Sequence, residues 1–386
     1  MSALVEGSWD DARVIAATTF KSLPSESIAL NKSLGRTLAV DARALCDLPT
    51  YATSAMDGYA VSGQAPWRII GEVKAGLPMK DALQEGTAVG IATGAVIPIN
   101  TFGVIRWETA QVNGEILEGD VIADQDIRPA AHECTIGDVL ISAGTSLNPA
   151  MIGLLAAAGL DTVQVIRKPK VALVLLGDEI QLTGIPSEGL VRDALGPQLP
   201  GWLEKLGCEI ISTHYISDEL ELVVESLQKA RATADIIITT GGTAQGPRDY
   251  LHSALERLNA NILVDTVAVR PGHPMLLADI DGHALFGLPG NPQSAIVALI
   301  SLGQPVIESM LGKPVQELQI VMTHDELTAP PDFTRLIIGN VINGEFHVAP
   351  YLGSAMLRGL AQSTGFAVVT TRLTSPGQSV RWLSLP

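Results

Sequence analysis

Phe286-Gly287-Leu288-Pro289-Gly290-Asn291-Pro292-Gln293-Ser294-Ala295 reads as a strand that runs through a glycine-proline turn into a helix. Asn is a residue type that caps helices, and Pro292 suits a first turn, where a missing N–H costs nothing. From Ser294 to Met310 apolar side chains recur at helical spacing, which predicts a helix opening at Asn291. Its free N–H groups then face outward, and such an end attracts anions, phosphates above all. Helices that begin Asn-Pro and bind nothing are also common, so the neighbouring segments decide.

Working outward, the chain from Lys170 to about Gly312 alternates strand and helix. Strands are expected at Val171–Leu176, Glu209–Ile216, Asp235–Thr240 and Ile262–Val269, and helices at Gly196–Leu206, Glu219–Thr233 and Tyr250–Leu258. Alternation of this kind predicts a doubly wound, mostly parallel α/β sheet with helices on both faces. Ligands of such sheets bind beyond the carboxyl ends of the strands.

The flanks differ. The first forty residues read as helical, with Asp10-Asp11-Ala12-Arg13 opening an alanine-rich run and a second turn-bounded segment ending near Gly35. Between about Asp47 and Gly137, short apolar strands alternate with Gly and Pro, and a helix returns at Pro149–Gly159. From Lys313 the texture is again short strands, with turns at Asn343-Gly344 and Pro376-Gly377. The division expected is a discontinuous linker domain (1–46 plus 137–168), a β-rich insert (47–136), the α/β domain (169–312) and a small C-terminal β-barrel-like domain (313–386).

Composition narrows the class. With 386 residues, 47% apolar and 17% charged, the chain is expected to fold into several globular domains. Its 25 Lys+Arg against 41 Asp+Glu leave a net charge of −16, which argues against nucleic acid or a membrane surface as partner. A small anionic ligand would therefore need a locally basic pocket. Three dispersed cysteines form no metal or disulfide pattern, and no signal peptide or spanning segment is read, so a cytoplasmic protein is expected.

Four strand ends carry candidate chemistry. Gly177-Asp178-Glu179 places two carboxylates where the first strand leaves the sheet, either as ligands for Mg²⁺ or as a helix cap beside a solvated Glu. Thr240-Gly241-Gly242-Thr243, continuing through Gly246 to Asp249, lets backbone N–H groups approach a ligand, although a tight strand-helix connection has the same look. Arg270-Pro271-Gly272-His273-Pro274 brings a guanidinium and an imidazole onto a rigid turn suited to oxyanions. The fourth is the opening stretch.

With these residues in view, the chain resembles the molybdenum insertases of molybdenum-cofactor biosynthesis, the MoeA and gephyrin E-domain family. The resemblance runs over nearly the whole length. Ser54-Ala55-Met56-Asp57-Gly58-Tyr59-Ala60-Val61 is similar to the family's most specific signature, and Thr93-Gly94-Ala95, Pro98 and Glu108 follow it. The sheet domain then offers Gly177-Asp178-Glu179, Asp218, Gly241-Gly242 with Gly246 and Asp249, Pro271-Gly272 with Pro274, and Gly287 to Ala295; Arg335 and Ser363 follow in the tail.

The resemblance implies a transferase that takes adenylylated molybdopterin and molybdate, with Mg²⁺, and gives molybdenum cofactor and AMP. It implies a homodimer, with a molybdopterin adenylyltransferase as a candidate partner. Asp57, Thr93, Glu179, Asp218 and Asp249 are then the expected catalytic residues, with Asp57 and Thr93 reaching over from the opposite subunit. Asp178, Glu179 and Asp249 are the expected cation ligands. Gly241, Gly242, Gly246, Arg270, Pro271, His273, Asn291, Ser294, Arg335 and Ser363 are the expected substrate contacts, the pyrophosphate lying on the Gly241-Gly242 loop and the Asn291 helix end.

Departures from the family pattern matter. Its Ser-Thr-Gly-Asp-Glu is here Leu175-Leu176-Gly177-Asp178-Glu179, and its Lys-Pro-Gly-Lys-Pro is Arg270-Pro271-Gly272-His273-Pro274. Gly90 stands for an Arg, and the Gly-Gly-Val-Ser loop reads Gly241-Gly242-Thr243-Ala244, leaning toward the adenylyltransferases. Besides an active insertase, the sequence thus supports a non-catalytic paralogue that carries molybdopterin or its cofactor, and, more remotely, an adenylyltransferase.

Overall fold

The computed structural model describes residues 3–243, 250–314 and 317–386. Contacts divide the chain into two compact units, Met1–Glu26 with Gly35–Ala39 and Val165–Pro386, and Ser27–Leu34 with Val40–Gln164.

The first unit is built on a seven-stranded sheet whose order is Leu4–Gly7, Asn261–Val267, Leu276–Ile280, His283–Leu288, Ile236–Thr240, Lys170–Leu176, Glu209–Ile216. Leu276–Ile280 runs antiparallel to both neighbours, and the other pairings are parallel. The mostly parallel doubly wound sheet is therefore present. Strands buried on both faces read as continuous apolar runs. Val171, Leu173 and Leu175 join one core with Ile236, Ile238 and Phe286, while Ala172, Val174 and Leu176 join a second with Ile237 and Leu285. Burying a side chain such as Phe286 contributes about 2–3 kcal/mol.

The N-terminal segment departs from the helical reading. Leu4–Gly7 is an edge strand of this sheet, and the helix there is Trp9–Thr19, N-capped by Ser8. Trp9 is fully buried in the first core, and its indole N–H donates to Ser301 Oγ at 2.8 Å. The second expected helical segment is a strand, Ser25–Ala29, followed by one 3₁₀ turn at Leu30–Lys32. Residues 1–46 are thus split between the two units.

The tail forms a small closed barrel. Thr334–Ile342 pairs with both Glu345–Val348 and Gly365–Val369, and Gln319–Thr323 and Ser379–Ser384 complete the ring. Phe346 and Trp382 fill it, their ring centroids 5.6 Å apart. Asn343 and Gly344 both have positive φ, 51° and 87°, as a two-residue hairpin requires. Outside the ring, Val269–Arg270 pairs in parallel with Thr334–Arg335, tying a sheet-edge loop to the barrel.

The second unit holds a six-stranded sheet ordered Gly103–Arg106, Gly58–Ser62, Thr87–Ile91, Trp67–Val73, Ile116–Glu118, Gln111–Asn113, the β-rich insert of the sequence reading. The helix Pro149–Ala157, capped by Asn148, lies in the same unit.

Candidate active site

Parallel register brings the dressed strand ends to one edge of the seven-stranded sheet. Leu176 aligns with Ile216, Leu175 with Thr240, and Thr240 with Leu288. Antiparallel pairing of Leu276 with Gly287 delivers residues 271–275 to the same edge.

At the His283–Leu288 side of that edge Arg270, Pro271, His273, Asn291, Ser294 and Arg335 line one cavity of about 340 Å³. Arg270 and Arg335 are direct partners in the short parallel pairing, which sets the two residues side by side on neighbouring strands, and both line the cavity. Arg335 is anchored by donating through Nη1 to the Thr328 carbonyl (3.0 Å) and hydroxyl (3.2 Å). The guanidinium of Arg270 lies over the Phe333 ring, 5.1 Å from its centroid. His273 has its ring centroid 5.8 Å from that of Phe333 and its Nε2 3.7 Å from Glu6 Oε1. Gly272 permits the approach. Its φ is +99°, and a Cβ there would sit 3.0 Å from Val297 Cγ1 and 3.3 Å from the Ser294 carbonyl.

The helix beyond Asn291 forms as read, Pro292–Ala298 continuing through a π turn at Leu299–Gly303 into Gln304–Met310. Two details differ. The Asn291 side chain makes no capping bond and lies in the cavity lining, and the first amides are partly engaged, Gln293 N donating to the Ser354 carbonyl at 3.0 Å. Ser354 also lines the cavity, a residue that the sequence reading did not single out.

Gly241 and Gly242 follow the central strand with φ of 79° and 65°. The Gly241 amide donates to the Leu288 carbonyl at 2.9 Å, and a Cβ on it would meet the Leu176 carbonyl at 3.3 Å. Gly246 and Asp249 lie outside the described residues. At the other side of the edge Asp178 and Glu179 are exposed, and the Asp218 amide donates to Asp178 Oδ1 at 3.3 Å. No group of three or more His, Cys, Asp or Glu with metal-holding geometry occurs among the described residues.

Ser363 is not in the cavity lining. It follows the helix Leu357–Gln362, with its Oγ buried and without a hydrogen-bond partner among the described residues. In the second unit Asp57 and Thr93 meet directly: Asp57 Oδ1 accepts from the Thr93 amide (2.6 Å) and hydroxyl (3.0 Å).

Sequence reasoning also missed Phe333, two positions before Arg335, and Asp193. The Asp193 carboxylate accepts from the amides of Leu195 and Gly196 (both 3.0 Å), capping the helix Leu195–Leu206, and from the Tyr215 hydroxyl (2.7 Å). Burial and that hydrogen bond push the Tyr215 hydroxyl up to about 12.

Chemically, the cavity gathers two permanently charged guanidinium forks, an imidazole, two serine hydroxyls and an amide. That donor set suits a small tetrahedral oxyanion or a phosphate. It is the locally basic pocket that a chain of net charge −16 needs for an anionic ligand.

Comparison with known proteins adds an independent line. A family model for the MoeA N-terminal region (domain I and II) matches residues 8–159, and one for a probable molybdopterin binding domain matches residues 172–309. A molybdopterin molybdenumtransferase of Staphylococcus aureus is 32% identical over 331 residues, covering 82% of this chain and 79% of the relative. One from Nostoc sp. is 33% identical over 388 residues, covering 94% and 89%. The crystal structure of a molybdopterin biosynthesis MoeA protein from Pyrococcus horikosii superimposes with a TM-score of 0.84 at 27% identity, over 98% of this chain and 99% of that one.

Proposed function

The chain belongs to the MoeA family of molybdopterin molybdenumtransferases, and from that premise we propose how its sheet-edge site works. It is a transferase of molybdenum cofactor biosynthesis that inserts molybdenum into molybdopterin, with molybdopterin and molybdate as substrates. In the finer reading the pterin arrives adenylylated and AMP leaves. The observation that carries this is the convergence of Arg270, His273, Asn291, Ser294 and Arg335 on one cavity.

In this reading molybdate sits against the Arg270 and Arg335 guanidinium groups, which neutralise a divalent oxyanion without needing a proton. Asn291 and Ser294 orient it, and the amides around Gly241 and Gly242 receive the pyrophosphate. Asp178 and Glu179 fit Mg²⁺, because that ion takes one or two carboxylates and completes its shell with substrate phosphate and water. Bound there, Mg²⁺ would neutralise charge on the phosphoanhydride. Asp249, outside the described residues, keeps its expected role as a further cation ligand, Asp218 positions Asp178 through its amide, and Asp57 with Thr93 forms a hydrogen-bonded pair presented by the partner copy of a homodimer. A molybdopterin adenylyltransferase would supply the substrate.

The exchanged residues motivate a second reading, a non-catalytic carrier of molybdopterin. Burial weighs against it at one point: Leu175 and Leu176 are 1% and 4% exposed and belong to the two opposite cores of the sheet. Side chains at those positions face packing, so the loss of hydroxyls there removes no donor from the cavity.

Purified protein given adenylylated molybdopterin, Mg²⁺ and molybdate is expected to release AMP and form cofactor only when molybdate is present. Nucleotide binding without molybdate-dependent AMP release would favour the carrier. ATP-dependent adenylylation of molybdopterin would instead assign the upstream step.

A further inference from the structure

We propose that Phe333 is a positioning residue of the cavity, the aromatic face that holds the Arg270 guanidinium and the His273 imidazole ready for an oxyanion. The inference rests on the oxyanion reading of that cavity. One ring meets both groups: the Arg270 guanidinium carbon is 5.1 Å from its centroid, and the His273 ring lies 5.8 Å away at a tilt of 36°. Both separations fall within the range in which cation–π and tilted ring pairs attract.

The backbone that carries the ring is itself tied down. Thr334 N, the next amide, donates to the Ala268 carbonyl at 2.9 Å, and the following Arg335 is the strand partner of Arg270. Phe333 thus enters from the barrel segment that carries one cavity cation and braces the loop that carries the others. A guanidinium whose carbon is held over a ring face leaves N–H donors at its edge, where an oxyanion can take them. An ammonium has no face to stack. The Arg270 and His273 that stand where the family has Lys therefore match the ring beside them. His273 also faces the Glu6 carboxylate, 3.7 Å from Nε2, so its contact with Phe333 limits how far that anion can draw the imidazole.

The test compares Phe333→Leu and Phe333→Tyr in the full chain by two readouts. The first is the Arg270 Nε–H resonance, identified by its loss in Arg270→Lys. The second is the split between KM for molybdate and kcat. Phe333→Leu is expected to move the resonance out of the ring's shielding and raise KM for molybdate roughly fivefold to tenfold, the worth of one cation–π contact, with kcat nearly unchanged. Phe333→Tyr is expected to keep wild-type behaviour in both. Should Phe333→Leu not fold, Phe333→Met, similar in bulk but ringless, replaces it.

An unmoved resonance overturns the proposal whether or not the protein uses molybdate. A moved resonance with an unchanged KM reduces the contact to packing and overturns it as well. If the wild-type protein shows no molybdate dependence at all, the oxyanion reading falls first and this role for Phe333 falls with it.

Discussion

At the His283–Leu288 side of the sheet edge Arg270, His273, Asn291 and Arg335 line a common cavity, whereas toward the Glu209–Ile216 side Asp178 and Glu179 stand exposed to solvent. The difference has a physical reason. Gathering two guanidinium groups is repulsive, so each needs its own brace, the Thr328 carbonyl and hydroxyl for Arg335 and the Phe333 ring for Arg270. Carboxylates awaiting a cation gain nothing from burial beforehand, because desolvation without a partner is costly. In the proposed reading one side of the edge is therefore built in advance, and the other is completed by the cation it binds.

The comparison breaks most visibly if the built side is emptied of charge. In the double variant Arg270→Ala with Arg335→Ala, molybdate-dependent cofactor formation is expected to fall by about 10²–10³, roughly 3–4 kcal/mol of electrostatic stabilisation. Thermal unfolding should shift little, since both side chains sit at the rim of the core. A loss below about tenfold, equivalent to about 1.4 kcal/mol, would mean that the oxyanion is handled elsewhere.

Next in size is a perturbation that should treat both sides alike. At the far edge of the same sheet Asp235 accepts two hydrogen bonds of 2.6 Å from Arg167 and one of 2.8 Å from the Lys170 amide. Burial pushes the Asp235 carboxyl up, but Arg167 and the amide outweigh it, and the net shift is downward. A carboxyl depressed on folding adds stability above its unfolded value, near 4, and that stability is lost as pH falls through the lower folded value. Asp235→Ala should lower the unfolding free energy by about 2 kcal/mol near neutrality, between the values for exposed and buried pairs. Urea melts across pH should show the gap between variant and wild type closing on the acid side. Unequal changes in the molybdate and Mg²⁺ requirements of Asp235→Ala would show that the two sides do not share one rigid frame.

The open side is addressed by Asp178→Asn. Its apparent Mg²⁺ affinity is expected to drop roughly tenfold, as for one hard oxygen donor on a largely hydrated ion, while KM for molybdate stays put. Activity should return at high Mg²⁺. A change in molybdate use instead would place Asp178 within the anion half.

Legibility in the sequence followed the same divide. Strands such as Lys170–Leu176 were readable because burial on both faces leaves an unbroken apolar run, and the helix after Asn291 because its spacing is helical. Leu4–Gly7 was not, since four residues of mixed polarity become a strand only by pairing with Asn261–Val267, far along the chain. Leu276–Ile280 escaped because antiparallel insertion leaves no signature in an α/β alternation. For the site, family motifs singled out Arg270, His273, Asn291 and Arg335 as candidates, but the approach of Arg335 to Arg270 depends on the two-residue pairing of Val269–Arg270 with Thr334–Arg335. No periodicity announces so short a pairing. Ser363, assigned to oxyanion handling by resemblance alone, lies outside the cavity lining.

The smallest expected effect tests how far the built side extends into the core. Gln293 is 1% exposed, and its Oε1 accepts no hydrogen bond among the described residues, while its backbone N–H is tied to the cavity-lining Ser354. An uncompensated amide oxygen costs about 1–3 kcal/mol. Replacement by Met keeps length and flexibility and removes the polar atoms, so Gln293→Met should raise the unfolding free energy by about 1 kcal/mol, read as a higher urea midpoint at unchanged slope. Greater stability with an unchanged KM for molybdate would make Gln293 a packing compromise beneath the cavity. Greater stability together with a raised KM would mean that polarity is held there against the interest of the fold, and the prebuilt half of the edge would then reach one side chain deeper than its lining. A variant no more stable than wild type would show that the amide oxygen is satisfied in solution, leaving the difference between the two sides to the arginines and their braces.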